Sequence, residues 1–249
     1  MKIALLLTGN ELMAGDTVDS NSSMIAQKLA ACGFQVDYKV TVGDDLDLLV
    51  EELERLSLRY SVVLVNGGLG PTVDDLTAEA VARATGGTIQ KNSAALAHLN
   101  VWCAERNIRI NDANLKQAML PDRAEIIDNP NGSAVGFYVH HNDCLIACTP
   151  GVPSELSAML DEQITTLFSR EFPNAQSKLI RRLKVFGVGE SRLQQLVADN
   201  LPDWPSQVAL GFRAGLPSLE LKLEIEDEPD LSLRNHCEAQ IRKLIGSYI

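Results

Sequence analysis

The chain lacks a basic stripe. Its 249 residues carry 33 acidic against 22 basic side chains, a net charge of −11, and the densest basic run lies between Lys178 and Lys184. Duplex binding needs a surface that neutralises phosphates, so nucleic acid is excluded as a partner. Long hydrophobic runs are missing too. The N-terminal apolar stretch from Ile3 to Leu7 is too short for a membrane span or a signal-peptide core, which predicts a cytoplasmic protein with no membrane partner. There is no zinc-type cysteine pair. Cys32, Cys103, Cys144, Cys148 and Cys237 are scattered and odd in number, and read as reduced, mostly buried thiols. Strand spacing would put Cys144 and Cys148 on one face, in the core. Among four histidines only His140 and His141 are neighbours, and beside Asn142-Asp143 they read as hairpin-turn residues rather than metal ligands. Internal repeats and low-complexity tracts are absent as well.

What is present is an alternation of strand and helix patterns. Lys2–Thr8, Gln35–Val42 and Ser61–Asn66 read as strands, and Ser22–Cys32, Asp45–Tyr60 and Leu76–Thr85 as helices, the last stopped by Gly86-Gly87. Helices follow over Asn92–Asn107, Asp112–Met119 and Pro153–Phe172, with a hairpin of Val135–His140 and Asp143–Cys148 before the last. Such alternation implies an α/β fold with a mostly parallel sheet between helix layers, its ligand crevice at the carboxyl ends of the strands. Residues 172–177 are the expected linker. Beyond them strand (178–186), helix (191–200), strand (208–212), strand (219–226) and helix (231–247) predict a smaller α+β domain. The expected domains are therefore 1–173 and 177–249.

The segment Asn66-Gly67-Gly68-Leu69-Gly70-Pro71-Thr72-Val73-Asp74-Asp75 carries the clearest chemistry. Glycines let backbone N–H groups approach an oxyanion, and the helix that follows adds the positive end of its dipole. Asp74 and Asp75 would repel that anion without a divalent cation between them, which suggests a phosphate on backbone donors beside a hard, oxygen-ligated metal. Three further turns support it. They are Thr8-Gly9-Asn10-Glu11, Asn129-Pro130-Asn131-Gly132-Ser133-Ala134 and Thr149-Pro150-Gly151-Val152-Pro153. Structural alternatives stand beside these readings: Asp75 and Asp44 as turn residues or helix caps, Glu11 as a solvated loop residue, and Ser191 of Gly187–Ser191 as a cap.

Together the stretches TGNELMAGDTVDSNS from Thr8, VGDD from Val42, NGGLGPTVDDLTAEA from Asn66, NPNGSAVGF from Asn129 and TPGVPSEL from Thr149 resemble the molybdopterin-binding fold family, and more closely its CinA branch. GVGES at Gly187 and FRAGLPSLEL at Phe212 extend the likeness into the second domain. The resemblance implies a three-layer α/β/α first domain and a homodimer. Asn10 stands where an acidic or hydroxyl residue is commoner, and Ser133 replaces a threonine but keeps the hydroxyl.

The branch is associated with metal-dependent hydrolysis of ADP-ribose to AMP and ribose 5-phosphate. The family often adds a C-terminal domain that deamidates nicotinamide mononucleotide, and with the sequence ending at Ile249 that domain and its activity are expected to be missing. On this basis the chain is expected to be an ADP-ribose pyrophosphatase acting on a small-molecule nucleotide with Mg²⁺, Mn²⁺ or Co²⁺. Asp75, Asp44 and Glu11 would be catalytic, and Asp75, Asp74 and Asp44 would hold the metal. Thr8, Gly9, Asn10, Gly67, Gly68, Gly70, Pro71, Thr72, Ser133, Pro150 and Gly151 would bind substrate. Two alternatives are a protein that binds molybdopterin or a pterin nucleotide without hydrolysis, and an interaction scaffold with a vestigial pocket.

Overall fold

The run Ile3–Thr8 is buried at every position and forms strand β1 of the computed structural model, which describes residues 1–173, 179–215, 217–226 and 228–249. Its side chains alternate between two cores. Ala4 and Leu6 enter one, while Ile3, Leu5 and Leu7 enter the other. A strand whose two faces are both covered has no polar side to show, which is why the run is continuously apolar.

The same division organises the whole of the first unit, Met1–Ala175. After β1 come helices α1 (Asn10–Ala14) and α2 (Asn21–Ala31), strand β2 (Val36–Val42), helix α3 (Leu46–Ser57), strand β3 (Val62–Asn66) and helix α4 (Thr77–Ala84). Strand β4 (Ile89–Lys91), helices α5 (Ser93–Glu105) and α6 (Asp112–Lys116) and strands β5 (Met119–Pro121), β6 (Glu125–Ile127), β7 (Gly136–His141) and β8 (Cys144–Thr149) follow. Helix α7 (Pro153–Met159), a π-helical stretch (Leu160–Ile164) and helix α8 (Thr165–Glu171) close the unit. The main sheet runs β2-β1-β3-β8-β7-β6, with β2, β1, β3 and β8 parallel and β7 and β6 antiparallel. Leu49, Leu53 and Leu56 of α3 and Ala80, Val81 and Ala84 of α4 cover one face. Ile25 and Leu29 of α2, with Leu156, Leu160, Ile164 and Phe168 of the last helical run, cover the other. The fold is thus three-layer α/β/α around a mostly parallel sheet.

The second unit, Gln176–Ile249, is α+β. Strand β9 (Leu179–Val185), helix α9 (Glu190–Asn200), strands β10 (Ala209–Arg213) and β11 (Leu219–Ile225) and helix α10 (Leu231–Ile245) form an antiparallel sheet, β10-β11-β9, with two helices. Leu219, Leu221, Leu223 and Ile225 alternate inward onto Leu193, Val197, Cys237, Ile241 and Ile245. Residues 174–177 of the expected linker, Lys178 and Leu216 of the FRAGLPSLEL stretch lie outside the described residues.

Several expectations change in detail. The predicted helix 112–119 ends at Lys116, and Met119–Pro121 instead pairs antiparallel with Ile89–Lys91. Pro121 disfavours helical geometry at Leu120, so the chain extends there. The helix predicted over 153–172 is interrupted by the π-helical stretch, through which Met159, Leu160 and Ile164 all stay buried. β4, β5 and β6 have three residues each, too few for alternation to register in a sequence. Helix α9 begins at Glu190 with Gly189 as its N-cap, so Ser191 is not the cap. The hairpin turns at Asn142 and Asp143, whose φ of 52° and 57° suits a two-residue primed turn, and the histidines end β7 instead.

The cysteines behave as core residues. Cys144 and Cys148 both point into the α3–α4 side and are inaccessible, and burial pushes the Cys144 thiol up to about 12 and that of Cys148 higher still. Only Cys32 is exposed. Titration of the native chain with a thiol reagent at pH 8 should therefore modify one thiol of the five rapidly, and Cys32→Ser should abolish that phase. A second fast thiol would contradict the packing of β8.

Candidate functional site

Four parallel strands deliver their carboxyl ends to one edge of the sheet: Val42, Thr8, Asn66 and Thr149. The loops that follow them, joined by residues 133 and 134 and by Glu155, enclose a cleft of about 400 Å³. Every site residue expected from the sequence lines it except Asn10. Glu155 and Gln117 also line it and were not among the expected residues.

The glycine loop has its shape for backbone reasons. Gly67 and Gly68 have φ of 113° and 67°, and a Cβ on Gly68 would sit 2.4 Å from Thr77 Oγ1. That hydroxyl is needed where it is, since it donates to the Gly67 carbonyl at 2.8 Å. Gly70 is required for a different reason: a Cβ there would lie 2.6 Å from a carboxylate oxygen of Asp75. Asp75 folds back on the loop and accepts from Thr72 N–H at 2.8 Å and from Thr72 Oγ1 at 2.6 Å through the same oxygen, Oδ2. It does not cap α4, whose N-cap, Leu76, has no side-chain bond. The Thr72 hydroxyl also meets Asp74 and holds that carboxyl below its ordinary range. From the end of α6, Lys116 donates to the Thr72 carbonyl.

Asp44 makes the corresponding brace on the β1 side. Its Oδ1 accepts from Thr8 Oγ1 at 2.9 Å and its Oδ2 from Asn10 N–H at 2.9 Å, while its own N–H donates to Asn10 Oδ1 at 3.1 Å. Asn10 therefore fastens the loop after β2 to that after β1 and stands outside the cleft. The cap of α3 is Asp45, which accepts from Asp47 and Leu48 N–H, so Asp44 is free of that duty. On the far wall, buried Asn129 accepts from the N–H groups of Asn131 and Gly132 and donates to Ala134 O and Glu155 Oε2.

Electrostatically the cleft is acidic. Glu11, Asp44, Asp74, Asp75 and Glu155 line it, with no lysine, arginine or histidine among the described lining residues. Nor do the described residues contain a group of three or more His, Cys, Asp or Glu able to hold a metal ion. Asp44, Asp74 and Asp75 are hard oxygen donors of the kind Mg²⁺ prefers, and such ions are commonly held by one or two carboxylates with water and ligand phosphate completing the shell. The donor set fits that shared mode and not an all-protein cage. No helix among the described residues is long and apolar enough to cross a membrane.

The fold and the cleft define the class: an α/β protein of the molybdopterin-binding type, and residues 4–170 match the family described as a probable molybdopterin binding domain. A solved structure of the protein CinA with unknown function, from Thermoplasma acidophilum, is 31% identical with a TM-score of 0.59, over 64% of this chain and 94% of that one. A CinA-like protein of Colwellia psychrerythraea is 49% identical over 248 residues, covering 100% of this chain and 57% of that protein. The nicotinamide-nucleotide amidohydrolase PncC of Shewanella oneidensis is 36% identical over 251 residues, with 100% and 58% covered. The chain belongs to the CinA-like family. It spans somewhat over half the length of these two longer relatives, and the match bears on that length alone.

These relatives correct the expected activity. The one whose name states a reaction is an amidohydrolase, which breaks a carbon–nitrogen bond, whereas the expected metal-dependent ADP-ribose pyrophosphatase breaks a phosphorus–oxygen bond. The names of these relatives give no support to pterin binding without hydrolysis either. The physical reason for the miss is plain: a glycine loop and an acidic pair constrain where a phosphate sits, not which bond of its bearer is cut.

The Asp75 bracket is directly testable. Side-chain acceptors on loop N–H groups are worth about 1 kcal/mol, so Asp75→Ala should speed hydrogen exchange at the Thr72 amide several-fold while the global unfolding midpoint stays put. Unchanged exchange at Thr72 would remove Asp75 as the clasp of the loop.

Proposed function

We propose that the chain is the nucleotide-holding part of a nicotinamide-nucleotide amidohydrolase acting in the cytoplasm, and that the cleft of the first unit receives the phosphorylated ribose. The reaction class follows the Shewanella oneidensis relative. Water adds to the carboxamide carbon, the bond from that carbon to the amide nitrogen breaks, ammonia leaves, and the nucleotide keeps its ring, now bearing a carboxylate. Five cysteines with no disulfide among them fit a reducing compartment.

The observation that carries the reading is the loop backbone. Among the described residues the N–H groups of Gly68, Leu69 and Gly70 donate to no acceptor of the chain, and all three residues line the cleft. Backbone donors left free beside a helix start suit a phosphate monoester. The carboxylates Glu11, Asp44 and Glu155 suit the other half of the ligand, because ribose hydroxyls are donors and carboxylates are acceptors only. A divalent cation shared between Asp44 or Asp75 and the phosphate would offset the repulsion between the acidic rim and the ligand. Thr8, Thr72 and Ser133 add hydroxyls at the same edge.

The test is calorimetric titration of the purified chain with nicotinamide mononucleotide, in EDTA and in Mg²⁺, alongside an assay for released ammonia. Binding is expected in Mg²⁺ and at least about tenfold weaker in EDTA. Gly151→Val is the blocking variant, since a Cβ at Gly151 meets only Gly67 Cα, at an ordinary 3.5 Å, so added bulk reaches the cleft without displacing the loop. It should weaken binding by a similar factor. Ammonia from this chain would assign the whole reaction to it, binding without ammonia would assign the amide chemistry to the remaining length of the longer relatives, and no binding would overturn the reading.

A further inference from the structure

Helices α5 and α6 form one excursion from the fold, closed at its base. Strands β4 and β5 pair antiparallel there, and just beyond them Asn92 N–H bonds Ala118 O at 2.8 Å. Both helices are fixed at their starts. The Asn92 side chain accepts from Ala94 and Ala95 N–H, and Asn111 and Asn114 form a reciprocal capping box. Ala95 and Ala118 join the core on the α3–α4 side and seat the excursion against it.

Two side-chain bonds leave this excursion, one for each wall of the cleft. From the end of α6, Lys116 Nζ donates to the carbonyl of Thr72, in the loop whose Gly68, Leu69 and Gly70 N–H groups are free among the described residues. From the middle of α5, His98 Nε2 lies 2.8 Å from the carbonyl of Gly132, which can only accept, so that nitrogen carries the proton. Gly132 leads into Ser133 and Ala134, which line the cleft. Neither Lys116 nor His98 lines the cleft itself, and both are half-buried. Bonds within each wall set its own shape, but among the described residues no hydrogen bond joins residues 67–75 directly to residues 129–134. The α5–α6 excursion holds one bond to each.

We propose that α5 and α6 are the brace that sets the width of the cleft, with Lys116 and His98 as positioning residues for a phosphorylated ligand: Lys116 acts through the Thr72 carbonyl and His98 through that of Gly132. The inference rests on the nucleotide reading of the cleft and extends it to how the two walls are held in register. A ligand that engages the loop N–H groups and the Ser133 hydroxyl needs both walls at once, and a gap set beforehand spares it the cost of ordering them. The two bonds act in series. Loss of either frees one wall from the brace, after which the other bond no longer relates the walls, so the second loss adds little. Two independent props would instead have effects that multiply.

The experiment titrates ribose 5-phosphate in Mg²⁺ into the unmodified chain, Lys116→Met, His98→Phe and the double variant, with Lys116→Arg and His98→Gln as variants that keep a donor. Each single loss should weaken binding about tenfold and the double loss hardly more, while the donor-keeping variants retain most of the affinity. A purely electrostatic pull of Lys116 on the phosphate would multiply with the effect of His98→Phe. Hydrogen exchange on the unmodified chain covers variants that do not fold: ribose 5-phosphate should slow exchange several-fold at the Leu115 and Ala118 amides, which bond Asn111 O and Leu115 O and belong to residues outside the cleft lining. If the sugar phosphate binds the unmodified chain but the losses multiply, the donor-free variants bind equally well, or exchange at Leu115 and Ala118 is unmoved, the brace is overturned while the cleft reading stands. If it does not bind the unmodified chain, the cleft reading falls and the inference with it.

Discussion

Asn66 is the point on which the site depends. It is the last residue of β3, 3% exposed, and its side chain spends itself on two neighbouring segments. Its Nδ2 donates to Thr149 Oγ1 at 3.2 Å and to Pro150 O at 2.7 Å, and its Oδ1 accepts from Asn21 Nδ2 at 2.9 Å. Asn21 in turn donates to Gly151 O, and Gly67 N–H bonds Thr149 O at 3.0 Å. One buried amide therefore sets the end of β8, the start of α2 and the entry to the glycine loop relative to each other. Buried polar groups are tolerated when their bonds are complete, and a complete set in a low-dielectric position specifies one geometry. The loop conformation downstream needs that fixed origin, because Gly67 and Gly68 by themselves allow many.

The acidic cleft is the second constraint, and it shapes what the site can recognise. A phosphate clamped by arginines would pay little for entry; here five carboxylates line the space and the donors are backbone N–H groups. Such a site discriminates strongly by charge arrangement. Under the proposed reading, a ligand that brings hydroxyl donors to the carboxylates and a counter-cation to its phosphate would be favoured over one that adds further negative charge.

Much of the fold was legible in the sequence because its signals are local. β1 and β3 read as strands from continuous apolar runs, since both their faces are covered, β8 read as the second strand of a hairpin, and α3 read correctly because Leu49, Leu53 and Leu56 share one side. The loops that meet at the cleft were legible too, as glycine, asparagine and carboxylate clusters at strand ends. What could not be read were pairings between distant short segments. β4 and β5 find each other across the intervening α5 and α6, and Gln117 becomes a wall of the site only because β5 turns back beside α4. Glu155 carries no signal of its own in the sequence, and it lines the cleft where Asn129 donates to its carboxylate. The reaction was beyond reach for a different reason, since a glycine loop and an acidic cluster say where an oxyanion can be held and not which bond of its bearer is cut.

The carboxylates that line the cleft also hold it together, and this governs how substitutions there must be interpreted. Asp75 uses a single oxygen, Oδ2, for both bonds to Thr72, so an asparagine with its carbonyl in that place keeps both acceptors and removes only the charge. Asp44 uses its two oxygens separately, one for Thr8 Oγ1 and one for Asn10 N–H. An asparagine there presents one acceptor and one donor, and the donor faces either a backbone N–H or a hydroxyl that must reverse its role. Loss of binding in Asp75→Asn thus reports on charge at the loop, in the sense of a cation or a ligand hydroxyl. The same loss in Asp44→Asn mixes charge with the detachment of the β2 loop from the β1 loop. Of the two acids, Asp75 is the one whose chemical role can be separated from its structural one.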